Sequence, residues 1–163
     1  MRSPTIRIQH AAFDTAAETA RVREGRRDIG ALVVFEGICR DRDGDTAGVS
    51  ELELEHYPGM TEASIGAMVD DAARRWPLQA VTVIHRVGRL RPADPIVLVI
   101  VASAHRRAAF DACAFLMDYL KTQAPLWKKQ TGAHGAEWGD ARKADDDALG
   151  CWGIASRNSA ADD

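Results

Sequence analysis

Aromatic residues are scarce, 6% of 163 positions, which leaves few rings on which nucleic-acid bases could stack. Charge of neither sign dominates. Lys and Arg number 21 against 24 Asp and Glu, a formal charge of −3, so general attraction to nucleic acid or to an anionic membrane is not expected. Cysteine is sparse too. Cys39, Cys113 and Cys151 form no CxxC pair, which argues against a zinc knuckle or a thioredoxin-type dithiol and fits a reducing setting. Met1–Gln9 lacks an apolar stretch of signal-peptide length, and the longest apolar run, Ile96–Ala102, is too short to span a bilayer. The expectation is a cytoplasmic protein without a membrane partner.

Several motifs are missing as well. There is no phosphate-loop sequence, no GxGxxG, no GxSxG and no HExxH. Asp41, Asp43 and Asp45 open like a calcium-binding loop, but Thr46 stands where the glycine is required and Leu52 where the bidentate Glu is required. A solvated acidic loop over Asp41–Gly48 is the expected reading. Neither a metal nor a cofactor is expected.

What is present alternates between strand and helix signals. Thr5–Gln9, Ala31–Gly37, Glu51–Tyr57, Val81–Val87, Ile96–Ala102, Leu126–Gln130 and Ala136–Trp138 read as strands. Leu52, Leu54 and His56 share one face of the third, with Glu51, Glu53 and Glu55 on the other. Ile96–Ala102 is apolar on both faces, as a central strand should be. Asp14 is placed to cap a helix reaching about Glu24. A second helix, opened by Thr61 and ended by Pro77, carries Ile65, Met68, Val69, Ala72, Ala73 and Trp76 on one face. A third, Arg106–Ala124, carries Ala109, Ala112, Cys113, Leu116, Met117 and Leu120, and a small helix is expected over Asp140–Ala148. Gly88–Pro95 reads as a connection. The loop between Ala31–Gly37 and Glu51–Tyr57 is too short for a helical crossover, which points to an α+β protein with a mixed sheet and packed helices. One domain over residues 1–150 is expected, followed by a polar, disordered tail over 151–163.

One constellation carries chemistry. Ser103–Arg107 joins a buried strand to a helix, where unpaired N–H groups and the helix dipole favour an anion. His105, Arg106 and Arg107 add cations at a place where the dipole opposes them. The alternative is a solvent-facing first turn. Lys121, in the last turn of that helix, either caps the helix or serves a site. Lys128 and Lys129 follow Trp127 and are either solvated or functional. A lysine beside other cations in a partly dry cleft holds anions and has a depressed pKa, so it can serve as base or nucleophile. Arg40 is placed to offer a bidentate fork to phosphate, or is a loop-edge arginine. Cys39 and Cys113 read as small buried apolar residues.

Four stretches carry a resemblance: Leu54-Glu-His-Tyr-Pro-Gly-Met60, Val83-Ile-His-Arg-Val-Gly88, Ser103-Ala-His-Arg106, and Phe115-Leu-Met-Asp-Tyr-Leu-Lys-Thr-Gln-Ala-Pro-Leu-Trp-Lys-Lys129. Together, over about Gly30–Ala148, the sequence resembles the MoaE family, the large, catalytic subunits of molybdopterin synthase. The resemblance implies an α/β-hammerhead type of α+β fold. It implies a sulfurtransferase that converts cyclic pyranopterin monophosphate (precursor Z) into molybdopterin by installing the dithiolene sulfurs. The sulfur donor implied is a small ubiquitin-like subunit ending in a Gly-Gly thiocarboxylate, within a heterotetramer built on a homodimer of the large subunit. Carried over by position, Lys121 and Lys128 match the active-site lysines. His105 and Arg106 match an anion-binding pair, and Arg40, with Ile38 and Cys39 beside it, matches the substrate pocket. Lys129 and Gln130 match its rim, and Arg142 matches a further pocket arginine. Gln130 stands where many relatives have Glu, so a neutral amide serves there, and the Asp41–Gly48 loop also departs from the family pattern. Two other readings are a non-catalytic module that holds a phosphate ligand or a Gly-Gly tail, and a pterin-phosphate enzyme needing no partner.

Overall fold

The strand at the centre of the molecule, β8 (Pro95–Ser103), is buried along both faces. Val97, Val99 and Val101 point to one side and Leu98, Ile100 and Ala102 to the other, the period-2 alternation of an interior strand. It pairs antiparallel with β6 (Leu78–Arg86) and with β2 (Ala31–Ile38), and β6 pairs parallel with β1 (Thr5–Gln9). The resulting mixed sheet runs β1-β6-β8-β2, with β2 at an edge. The computed structural model describes residues 1–43, 46–47, 50–132, 135–139 and 150–153, with the backbone alone for 42–43, 46–47, 130, 132 and 135–139.

Helix α1 (Thr15–Arg23) covers one face of this sheet. The Asp14 carboxylate caps it by accepting from the Ala17 N–H at 2.9 Å. Val22 packs with Phe13, Ile29 and Leu32 on Ile84, Leu98 and Ile100. The other face takes α2 (Met60–Arg75) and α3 (Arg106–Thr122). Ile65, Met68, Val69 and Ala72 of α2 join Ala109, Ala112, Phe115 and Leu116 of α3 over Val81, Val83, Val99 and Val101. Glu62 fixes the start of α2 by accepting from the Gly59 N–H at 2.8 Å, and Pro77, which has no N–H, follows its end.

Phe115 is fully buried and edge-packed against Trp76 and Trp152 at 5.4 and 5.7 Å between ring centroids. Trp152 also donates to Asp118 at 2.8 Å, so this residue of the expected tail packs on the core. Residues 154–163 and the helix expected over 140–148 lie outside the described residues. Phe115→Ala is expected to cost about 3–5 kcal/mol, the usual range for emptying an aromatic core position, as read by urea denaturation.

A second sheet, wholly antiparallel, runs β10-β9-β5-β7 and contains β5 (Glu51–His56), β7 (Gly88–Leu90), β9 (Leu126–Gly132) and β10 (Gly135–Gly139). Its inner face buries Leu52, Leu54 and Leu90 together with Cys39. Three expectations need correction. The strands at 31–37 and 51–57 do not pair; they belong to different sheets, and the short connection between them crosses from one to the other. The connection expected at Gly88–Pro95 contains β7, because Gly88, Arg89 and Leu90 pair with Leu54, Glu53 and Leu52 before the turn begins. Within the expected acidic loop, β3 (Arg42–Asp43) and β4 (Thr46–Ala47) form a two-residue ladder.

Candidate active site

Where the two sheets meet, six elements leave a cavity of about 330 Å³. The last residues of β2 and those just beyond it supply Phe35, Gly37, Ile38, Cys39 and Arg40. From β5 come Leu52 and Leu54, from β6 His85, from β8 Ile96 and Val97, from the end of α3 Met117, Leu120 and Lys121, and from β9 Leu126 and Lys128. Each arrives by ordinary periodicity. Leu126 and Lys128 are two apart on β9 and so share a face. Met117, Leu120 and Lys121 are one turn apart on α3. Gly37 pairs with Val97, and a Cβ at Gly37 would stand 2.7 Å from Val97 Cγ1. The close approach of β2 to the cavity floor therefore needs glycine there.

Apolar side chains make most of this wall, and among the described residues the charged ones lining it are Arg40, Lys121 and Lys128, all cationic. Low-dielectric walls strengthen such a field, so the cavity favours an anion. The Cys39 thiol is pushed up from its ordinary value, first by burial and then by Asp94, with Lys128 acting the other way. Burial alone pushes the Cys113 thiol up to about 11. Both behave as buried, protonated thiols, as the sequence suggests.

His85 is 8% exposed and sits on β6 opposite Val97. Its Nδ1 lies 2.7 Å from the Arg86 carbonyl oxygen. Burial holds its pKa down to about 4 from 6.5, against the opposing effect of that carbonyl, with His56 adding to the depression. The unfolded chain therefore takes up a proton here that the folded chain refuses. Stability is expected to fall as pH drops from about 6.5 to about 4 and to level off below. The gap corresponds to at most about 3 kcal/mol. Urea denaturation across that range, compared with His85→Phe, checks the sign: the variant should lose this part of the slope.

The structure gathers Ile38, Cys39, Arg40, Lys121 and Lys128 into one cavity. It does not bring His105 and Arg106 there. His105 is the N-cap of α3 and Lys121 lies in its last turn, 16 residues away, which is about 24 Å along a helix. Both His105 and Arg106 are exposed, whereas Arg107 is held by Asp111 at 2.8 Å. Lys129 is not among the lining residues; it follows Lys128 on β9 and pairs with Glu53. Gln130 takes the β9 position paired with Leu52, and Arg142 lies outside the described residues. Sequence reasoning missed His85 and most of the apolar wall. Its one signal for His85 was the alternation of β6, which puts residues 81, 83 and 85 on one face.

A mixed sheet with helices on both faces, joined to a second sheet across a largely apolar pocket that Arg40, Lys121 and Lys128 line, defines a small two-sheet α+β protein. The chain belongs to the MoaE protein family, whose model matches residues 8–123. It is 58% identical over 158 residues to a molybdopterin synthase catalytic subunit from Ralstonia nicotianae, covering 97% of this chain and 89% of that protein. Among solved structures, a molybdopterin biosynthesis MoaE protein from Burkholderia ambifaria superposes with TM-score 0.79 at 50% identity, over 93% of this chain and 99% of the other. Molybdopterin synthase from Staphylococcus aureus superposes with TM-score 0.73 at 30% identity, over 82% and 95%.

Proposed function

We infer that this chain carries out the sulfur-transfer step of molybdenum cofactor biosynthesis. It takes sulfur from the C-terminal thiocarboxylate of a small ubiquitin-like partner subunit and delivers it to cyclic pyranopterin monophosphate, forming the dithiolene of molybdopterin. The observation that carries this reading is the convergence of Lys121, Lys128 and Arg40 on one apolar cavity in a chain of this family. Both reactants are anions, a phosphate ester and a thiocarboxylate, and a largely apolar pocket lined by cations holds them together and stabilises charge that develops between them. In each transfer the thiocarboxylate sulfur bonds to a carbon of the pterin side chain as a C–O bond at that carbon breaks, its oxygen leaving on the phosphate or as water. A water molecule then hydrolyses the acyl–sulfur bond, so the sulfur stays on the pterin and the partner tail ends as a carboxylate.

Lys121 is assigned to the thiocarboxylate end of the partner tail. Lys128 assists it, and Arg40, with the backbone of Ile38 and Cys39, takes the substrate phosphate. His105 and Arg106 serve the same substrate only if a second copy supplies them, given the length of α3. Edge strand β2 makes that arrangement feasible. It runs from Ala31, paired with Ser103 beside the start of α3, to Gly37 and Ile38 at the cavity, and it exposes Val34, Phe35 and Ile38. Antiparallel contact with the same strand of a second copy carries the α3 start of one copy toward the cavity of the other. Lys129 and Gln130 are assigned to the rim, with Arg142 as a further candidate. A cytoplasmic location is supported by three cysteines that remain free thiols; no helix among the described residues is long and apolar enough to cross a membrane.

The test is product formation with two forms of the thiocarboxylated partner. The full-length tail should support conversion of the pterin. A partner lacking the terminal Gly-Gly but thiocarboxylated at its new end should not, because it cannot reach the cavity. Equal conversion by both forms would contradict tail insertion.

A further inference from the structure

The proposed reaction leaves one buried polar group of the cavity unused. Lys121, Lys128 and Arg40 offer only hydrogen-bond donors. Among the described residues that line the cavity, His85 is the one side chain with a nitrogen or oxygen able to accept; Cys39 and Met117 offer only weakly accepting sulfur. Its tautomer is set by its own backbone. A carbonyl oxygen accepts and never donates, so the 2.7 Å contact with the Arg86 carbonyl puts the hydrogen on Nδ1. Burial keeps the ring neutral, which leaves the lone pair on Nε2. With Nδ1 turned back onto the chain, the Nε2 edge is the part left to line the cavity.

We propose that His85 Nε2 is the acceptor for an N–H or O–H donor on the heterocycle of the substrate, and that it thereby sets how the ring lies relative to the cation-bound phosphate. This rests on the sulfur-transfer reading and deepens it. A ligand with a phosphate at one end and ring donors at the other needs cations and an acceptor on opposite sides of one pocket. A cavity of cations alone would take any phosphate ester of suitable size. The acceptor adds discrimination, because a site built to receive a donor rejects analogues that lack it.

The test compares His85→Asn with wild type. The Asn amide keeps a donor for the Arg86 carbonyl but ends short of the Nε2 position. Equilibrium binding of cyclic pyranopterin monophosphate, followed by titration calorimetry, should weaken 10- to 100-fold. Affinity for the partner subunit should stay within about twofold, since the partner tail offers an anion to the lysines. His85→Gln, whose amide oxygen reaches farther, should recover part of the loss. In turnover the loss should fall mainly on KM, the mark of a group that binds ground state and transition state alike. If His85→Asn melts more than a few degrees below wild type, His85→Phe, which keeps ring volume and removes the acceptor, gives the same reading. Binding of the pterin by folded variants within twofold of wild type would overturn the proposal. Wild type that binds the pterin but makes no product would overturn the sulfur-transfer reading, and the affinity ratio would still decide the role of His85.

Discussion

Lys121→Ala is expected to slow sulfur transfer by at least about a hundredfold while leaving the chain folded. Removal of a single preorganised charge or donor from an active site typically costs 10²–10³ in rate. Lys121 is one of three cations among the described residues lining a mostly apolar cavity, so its loss removes a large share of the positive charge there. At the effective dielectric of such a site, one charge pair at 4 Å is worth about 4 kcal/mol. The cost to folding is small because Lys121 is exposed and sits in the last turn of α3, where a cation gains only about 0.3–1 kcal/mol from the helix dipole. Lys121→Arg separates two roles. It keeps the positive charge but cannot give up a proton or form a bond to an acyl carbon at neutral pH. The expected result is tail binding near wild type with turnover still low. Full turnover by Lys121→Arg would reduce the residue to a point charge.

The second large effect is complementation between inactive chains. Lys121→Ala and the double variant His105→Ala/Arg106→Ala should each be nearly inactive as pure proteins. Mixed in equal amounts and allowed to exchange subunits, they should recover about a quarter of wild-type activity per chain. Half of the dimers then pair one chain of each kind, and one of the two sites in such a dimer has Lys121 from one copy and the intact pair from the other. If all three residues acted within one chain, every site in the mixed dimers would be damaged and nothing would be recovered. The 16-residue separation of His105 from Lys121 along α3 makes the first outcome the expected one. Product formation after refolding the mixture, with subunit exchange confirmed by mass spectrometry, measures it.

Most of the elements were legible because their residues answer to local rules. Asp14 caps α1, Pro77 closes α2, and the two apolar faces of β8 mark it as interior. The layout of the sheets was less so. A short connection between β2 and β5 excludes a helical crossover but does not say that the two strands share a sheet; the chain leaves one sheet at Cys39 and enters the other at Glu51. Strand β7 is three residues bounded by Gly88 and Pro92, too short for any alternation to register. For the cavity, the chemistry-bearing residues were legible and the enclosure was not, since its wall comes from β2, β5, β6, β8, α3 and β9. Only long-range pairing brings these together. Two details were within reach of simple periodicity. Alternation along β9 groups Lys128 with Leu126 and sets Lys129 apart, and helix rise separates His105 from Lys121.

The most direct measurement is a single turnover: wild-type chain, excess thiocarboxylated small subunit and limiting cyclic pyranopterin monophosphate, with the dithiolene product quantified. The account predicts that the pterin converts fully and that the thiocarboxylate is consumed, with partner tails ending as carboxylate. A chain that binds both the partner and the pterin in the cavity, yet leaves the thiocarboxylate intact and the pterin unchanged, would contradict it and make the pocket a binding site alone.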